Sequence, residues 1–167
     1  MVETTSSAKI TLPTDEQILI TREFAAPRHL VYRAWTTPEL VKRWWSGHHG
    51  TTTEVVLDLR VGGQWRYVLK TPEGFEVAFH GEYREIVPDE RIVYTEVYEM
   101  PGADPLPAAD EPVNTLTLTD AGDGRTILTL LVQTTTKELR DLIFGSGMES
   151  GVQEQFNLIE ELANSLR

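Results

Sequence analysis

The sequence predicts an α+β domain: a curved antiparallel β-sheet wrapped around one long C-terminal helix, with two short helices after the first strand. Three observations predict it. Apolar residues recur at helical spacing in only two regions, just after the first strand and from Lys137 onward. Between Thr51 and Thr134 the period is two. The period-two runs are mostly separated by short turn-forming spacers, which imply an antiparallel meander. A meander with one apolar face must cover that face, and the last helix is the only element long enough to do so.

Glu16 to Phe24 places Ile18, Ile20 and Phe24 on one face and reads as a strand. Pro27 suits a first helical turn, and Leu30, Val31, Ala34 and Trp35 follow at helical spacing. Thr37-Pro38-Glu39 opens a second short helix: Thr37 can cap it, Pro38 fits its first position, and Glu39 suits the positive end of the dipole. Leu40, Val41, Trp44 and Trp45 form its apolar side, and Ser46-Gly47-His48-His49-Gly50 breaks it. Thr51 to Leu59 is β-branched and alternating, and Arg60-Val61-Gly62-Gly63 turns the chain. Trp65, Tyr67 and Leu69 mark the next strand, and Phe75 to Val87 a long one. Pro88-Asp89-Glu90 leads into a return strand from Arg91 to Glu99. Met100 to Pro112, rich in Pro and acids, reads as a loop and a possible lid. Val113 to Thr119 and Arg125 to Thr134 form a hairpin through Asp120-Ala121-Gly122-Asp123-Gly124. Lys137 to Phe144 has helical spacing in Leu139, Leu142 and Ile143. The last helix, Met148 to Leu166, carries an apolar stripe of Met148, Val152, Phe156, Ile159, Ala163 and Leu166.

The bulk numbers narrow the function. A chain of 167 residues with 40% hydrophobic and 25% charged residues suits one domain with a sizeable core. Residues 1–14, polar and rich in Thr and Ser, are expected to form a flexible tail ahead of a single domain at 15–167. The formal net charge of -11 repels phosphate backbones and anionic membranes, so neither nucleic acid nor membrane is an expected partner. The absence of cysteine excludes disulfides, thiolate nucleophiles and Cys-based metal sites. No signal-peptide pattern or spanning segment is evident, so a cytoplasmic location is expected. A homodimer is plausible by base rate alone.

Several motifs, taken in order, carry a resemblance. They are Phe24-Ala25-Ala26-Pro27-Arg28, Ala34-Trp35-Thr36-Thr37-Pro38-Glu39-Leu40 and the pair Trp44-Trp45. Further along come Asp58-Leu59-Arg60-Val61-Gly62-Gly63-Gln64-Trp65-Arg66, Gly81-Glu82-Tyr83-Arg84-Glu85-Ile86 and Glu90-Arg91-Ile92-Val93-Tyr94-Thr95. Together they resemble the START-like (SRPBCC, helix-grip) superfamily. Within it they resemble the branch homologous to the C-terminal domain of the activator of the ninety-kilodalton heat-shock chaperone's ATPase. The resemblance runs from about Ile18 to Leu166. It implies a helix-grip fold with a cavity between sheet and last helix. It also implies one of three roles: binding a small hydrophobic molecule such as a lipid, regulating a chaperone ATPase, or cyclising or isomerising an apolar substrate. Two departures matter. Ser46-Gly47-His48-His49-Gly50 replaces the usual Gly-Pro after the Trp pair, and Val152 stands where many relatives carry Trp, which would leave more cavity space.

Hydrophobic-ligand binding without catalysis is the preferred reading. On the sheet the candidate ligand-binding residues are Trp65, Tyr67, Phe79, Tyr83, Tyr94 and Tyr98. The helices add Trp44, Met148, Val152 and Phe156. The set lines either an apolar pocket with phenolic hydroxyls to orient a ligand, or a packed core. Glu96 alternates with Tyr94 and Tyr98 and is either a buried acid–base candidate on their face or an outer cross-strand partner for Arg66 or Arg84. No catalytic residue, metal or cofactor is assigned. His48-His49 lacks a third ligand, and adjacent residues on an extended chain point apart. His80 is expected on the face opposite Phe79, and His29 on an exposed helix surface.

Overall fold

The computed structural model describes residues 7–46, 50–99 and 110–167. Its elements run β1 (Lys9–Thr11), β2 (Gln17–Phe24), α1 (Arg28–Thr36), α2 (Pro38–Trp44), β3 (Thr51–Leu57) and β4 (Gln64–Lys70). They continue with β5 (Glu76–Val87), β6 (Arg91–Thr95), β7 (Val97–Glu99), β8 (Val113–Gly122), β9 (Arg125–Gln133), α3 (Lys137–Phe144) and α4 (Met148–Ser165). The strands form one antiparallel sheet in the order β1-β2-β9-β8-β6-β5-β4-β3, with β7 pairing β5 off this path. The edges are β1, three residues long, and β3, which carries a register shift between Thr52 and Glu54. This α+β layout, with a C-terminal helix gripped by the sheet, is the one the sequence predicts. Among the described residues, no helix is long and apolar enough to cross a membrane.

Alternation sets the inner face. Register brings Ile20, Leu130, Leu116 and Ile92 side by side across β2, β9, β8 and β6. All four are buried, each contributing about 2 kcal/mol of hydrophobic stabilisation. On α4, Val152, Phe156, Ile159 and Ala163 are buried, as the stripe predicts, with Met148 and Leu166 packed partly buried at its ends. Phe156 meets Phe24 at 5.8 Å and Trp35 at 5.9 Å between ring centroids, and Trp35 meets Trp44 at 5.0 Å. The β8–β9 hairpin turns at Asp123 and Gly124, with φ of 54° and 72°, both positive as a type I′ turn requires.

Four local features differ from the sequence expectation. Lys9–Thr11, inside the expected tail, pairs with Leu19 to Thr21 of β2. The return strand expected from Arg91 to Glu99 is broken at Glu96, whose N–H bonds the carbonyl of Pro112 in register with β8, while Pro112 has no N–H to return. Thr37 occupies the N-cap of α2 without a side-chain capping bond. Thr136 caps α3, accepting from the Leu139 N–H at 3.1 Å. In α3 the buried residue is Arg140, while Leu142 is 71% exposed. The Arg140 guanidinium donates to the Thr14 carbonyl at 2.8 Å, so a backbone acceptor ahead of β2 joins the packing of Ile143 on the core in holding this short helix.

The break at Glu96 has a visible cause. The Thr95 hydroxyl accepts the Glu82 N–H at 2.9 Å, and the Thr95 carbonyl accepts the Trp65 indole N–H at 3.1 Å. Gly81 lies beneath that carbonyl, where an added Cβ would stand 1.7 Å from the oxygen. The long β5 thus pairs β6 through Tyr83 to Val87 and β7 through Ala78 to His80, with a register shift between Tyr83 and Glu85. Such a shift bends and twists the strand.

Candidate ligand site on the inner sheet face

Strand register gathers the predicted aromatic residues of the sheet. Tyr67 lies opposite Phe79, Phe79 opposite Tyr98, Tyr83 opposite Tyr94, and Tyr94 opposite Asn114. Directly opposed residues share a face, so these side chains form one continuous surface. Trp65 contacts Tyr67 at 4.7 Å and Tyr94 edge-on at 5.7 Å. Trp45, at the end of α2, sets its ring edge-on to Tyr67 at 5.4 Å and Phe79 at 5.3 Å. Phe79 stacks on Tyr98 at 4.9 Å. The result is an aromatic ladder from buried Trp65 and Tyr67 out to Tyr98, which is 45% exposed.

A polar group sits at the inner end. Asn114 Nδ2 donates to Glu96 Oε1 at 2.6 Å, so Glu96 turns to the Tyr94 side, and its partner is neither Arg66 nor Arg84. Arg66 instead forms a two-armed pair with Glu99, both arms 3.0 Å, and Arg84 pairs with Glu82. Burial raises the Glu96 carboxyl, opposed by the Asn114 bond. Burial likewise pushes the Tyr67, Tyr83 and Tyr94 hydroxyls well up. The phenols therefore stay neutral across the ordinary pH range. Asn114 is 2% exposed, and its Oδ1 is buried without a hydrogen-bond partner.

The two halves of the inner face are covered unequally. Along β2, β9 and β8, Ile18, Phe24, Leu128, Leu116 and Leu118 are sealed. Toward β5, β6 and β7, Phe79, Tyr94 and Glu96 keep partial exposure, as does Trp45 above them. Solvent therefore reaches the aromatic ladder and the Glu96 region.

The remaining candidates lie elsewhere. Trp44 and Phe156 belong to the cluster with Trp35 and Phe24, and the Trp44 indole N–H bonds the Ala34 carbonyl at 2.9 Å. Val152 is buried and Met148 half-buried on the first turns of α4. Sequence reasoning missed Asn114 and Trp45 as site residues. The signal for Asn114 was its parity with Leu116 and Leu118 on β8. It also missed a buried ion pair: Arg22 donates to Glu160 Oε1 at 3.2 Å and to Asn157 Oδ1 at 2.8 Å, while Glu160 Oε2 accepts the Ala25 N–H at 2.7 Å.

His80 Nδ1 lies 2.7 Å from Glu99 in a partly exposed network with Arg66, and His29 is exposed. Among the described residues, no three His, Asp or Glu side chains gather as a metal ion would require; His48-His49 and most of the Met100 to Pro112 loop lie outside them. An open depression of about 330 Å³ lies away from the ladder, lined by residues such as Pro27, Arg28, Asp89 and Asp123. Its walls carry no buried polar group and no Phe, Tyr or Trp ring.

Comparison with known proteins agrees with this architecture. A solved structure from Rhodobacter sphaeroides superposes with a TM-score of 0.84 at 26% identity, covering 95% of this chain and 99% of that one. One from Nitrosomonas europaea gives 0.79 at 25% identity, covering 93% and 98%. One from Chromobacterium violaceum gives 0.75 at 28% identity, covering 90% and 98%. No curated protein matches the chain. The family model described as Activator of Hsp90 ATPase homolog 1-like protein matches residues 25–164, which include α1, α2, the sheet from β3 to β9 and nearly all of α4. The chain belongs to the family of Activator of Hsp90 ATPase homolog 1-like proteins, within the START-like superfamily that its motifs resemble.

Proposed function

We propose that this protein binds a small hydrophobic molecule against the aromatic ladder, between the open half of the sheet and the helices. The supporting observation is the pairing of a solvent-reached aromatic surface with a few convergent polar groups at its buried end. Small-molecule sites are built this way, with apolar walls for affinity and few polar atoms for orientation. Trp45, Phe79 and Tyr98 supply the walls, and Glu96 with Asn114 supplies the polar end. Native mass spectrometry of freshly purified protein, followed by denaturation and identification of what is released, tests it. A stoichiometric apolar molecule supports the reading. A clean mass, together with no uptake of apolar probes by the wild type, refutes it.

One observation favours a second reading, acid–base catalysis on the bound molecule: burial raises the Glu96 carboxyl toward the range where a group can both give and take a proton. If Glu96 turns substrate over, Glu96→Gln abolishes turnover and leaves binding intact. Regulation of a chaperone ATPase is carried by the family description alone. Its test is capture of the chaperone by the purified protein.

A further inference from the structure

We propose that the site selects a flat, neutral, apolar molecule bearing an N–H or O–H donor, which Asn114 Oδ1 accepts. The inference rests on the ligand-binding reading and names the chemistry of the ligand.

Buried polar atoms in folded proteins are nearly always hydrogen-bonded, and each orphan calls for an explanation. Among the described residues, three buried side-chain atoms lack a partner: Arg22 Nε, Thr52 Oγ1 and Asn114 Oδ1. Arg22 Nε belongs to a guanidinium already engaged by Glu160 and Asn157. Thr52 Oγ1 lies on the edge strand β3. Asn114 Oδ1 differs from both, because it stands opposite Tyr94 at the inner end of the ladder, and its own amide is held by the Glu96 carboxyl. That bond turns one N–H of the amide to Glu96, and the amide oxygen has no partner.

One neighbouring donor is already committed. The Trp65 indole N–H serves the Thr95 carbonyl. What the inner end still offers is an acceptor. A ligand donor completes it, whereas a ligand carboxylate meets Asn114 Oδ1 and the Glu96 carboxyl with no positive partner. The edge-on and stacked rings of Trp45, Phe79 and Tyr98 favour a flat ring system over a flexible chain.

Indole and indene test this directly, because they share one shape and differ in a single N–H. NMR titration of the wild-type protein with indole, indene and an indole carboxylate is expected to rank them in that order. Indole should bind at least about tenfold more tightly than indene, equivalent to ~1.4 kcal/mol. In Asn114→Leu the indole preference should shrink to within about twofold, with indene binding retained. Equal wild-type affinities for indole and indene, or tightest binding of the carboxylate, overturn the inference and leave the ligand-binding reading standing. Failure of all three to bind overturns both. The wild-type comparison decides the matter even if Asn114→Leu does not fold.

Discussion

Trp65 and Thr95 are joined by a bond from the indole N–H to the backbone carbonyl, and the join is possible because Gly81 beside them has no side chain. The glycine here answers to close packing, since the obstacle is a backbone oxygen that cannot swing away. Gly81→Ala is expected to cost about 3 kcal/mol, at the upper end of overpacking effects. A loss of less than half of that in urea unfolding would show that the strand can yield.

The Arg22–Glu160 pair fastens α4 to the β2–α1 junction. Burial lowers the Arg22 pKa while Glu160 acts the other way, and the guanidinium remains charged. Removing one partner strands a buried charge, so Glu160→Leu should cost about 4 kcal/mol. The double variant Arg22→Met with Glu160→Leu should recover most of that loss. It should fall short by about 1 kcal/mol, because the Ala25 N–H also loses its acceptor. Urea unfolding of the double-mutant cycle measures both.

Glu96 makes a pH prediction of definite sign. Its folded pKa is raised, so the folded state holds the proton more tightly than the unfolded chain. Stability should therefore fall as pH rises from the unfolded carboxyl value, about 4.3, through the raised folded value, and level off above it. Glu96→Gln keeps an acceptor for Asn114 and removes the titration. The variant should gain thermal stability relative to wild type at neutral pH, and the gain should vanish in acid. A pH-independent difference in Tm would assign the effect to packing.

The two helices at the C-terminal end should respond oppositely to truncation. Leu142→Ser on α3 should change stability by no more than about 0.5 kcal/mol, as an exposed site does. Phe156→Ala on α4 should cost about 4 kcal/mol, because it leaves a hole among Phe24, Trp35 and α4. Parallel denaturation of the two variants compares them.

Much of this molecule is legible in its sequence, because period-two and helical patterning set the faces of β2, β4, β5, β8, β9 and α4. Asp123-Gly124 also marks its own turn. Polar residues at apolar parity are harder to read. Arg22 falls in step with Ile18, Ile20 and Phe24, yet its partner Glu160 lies 138 residues away, and only the fold brings the two together. Asn114 is hidden for the same reason. The break at Glu96 depends on the Thr95 carbonyl, Gly81 and Pro112 at once, a tertiary arrangement that no local period encodes. The spacing of Leu139, Leu142 and Ile143 marks a helix without telling how far each side chain turns inward: Leu139 and Ile143 are half-buried and Leu142 is exposed.

The strand path ends in β1 and β3, and the construction of these two edges bears on how the protein behaves at high concentration. Exposed strand edges invite pairing with other chains. Here one edge, β1, offers only three residues, and the other, β3, is interrupted between Thr52 and Glu54, with the Glu54 carboxylate exposed near the irregularity. Neither presents a long, flat, uncharged run for a second chain to extend. Resistance to edge-to-edge pairing is thus built into both end strands.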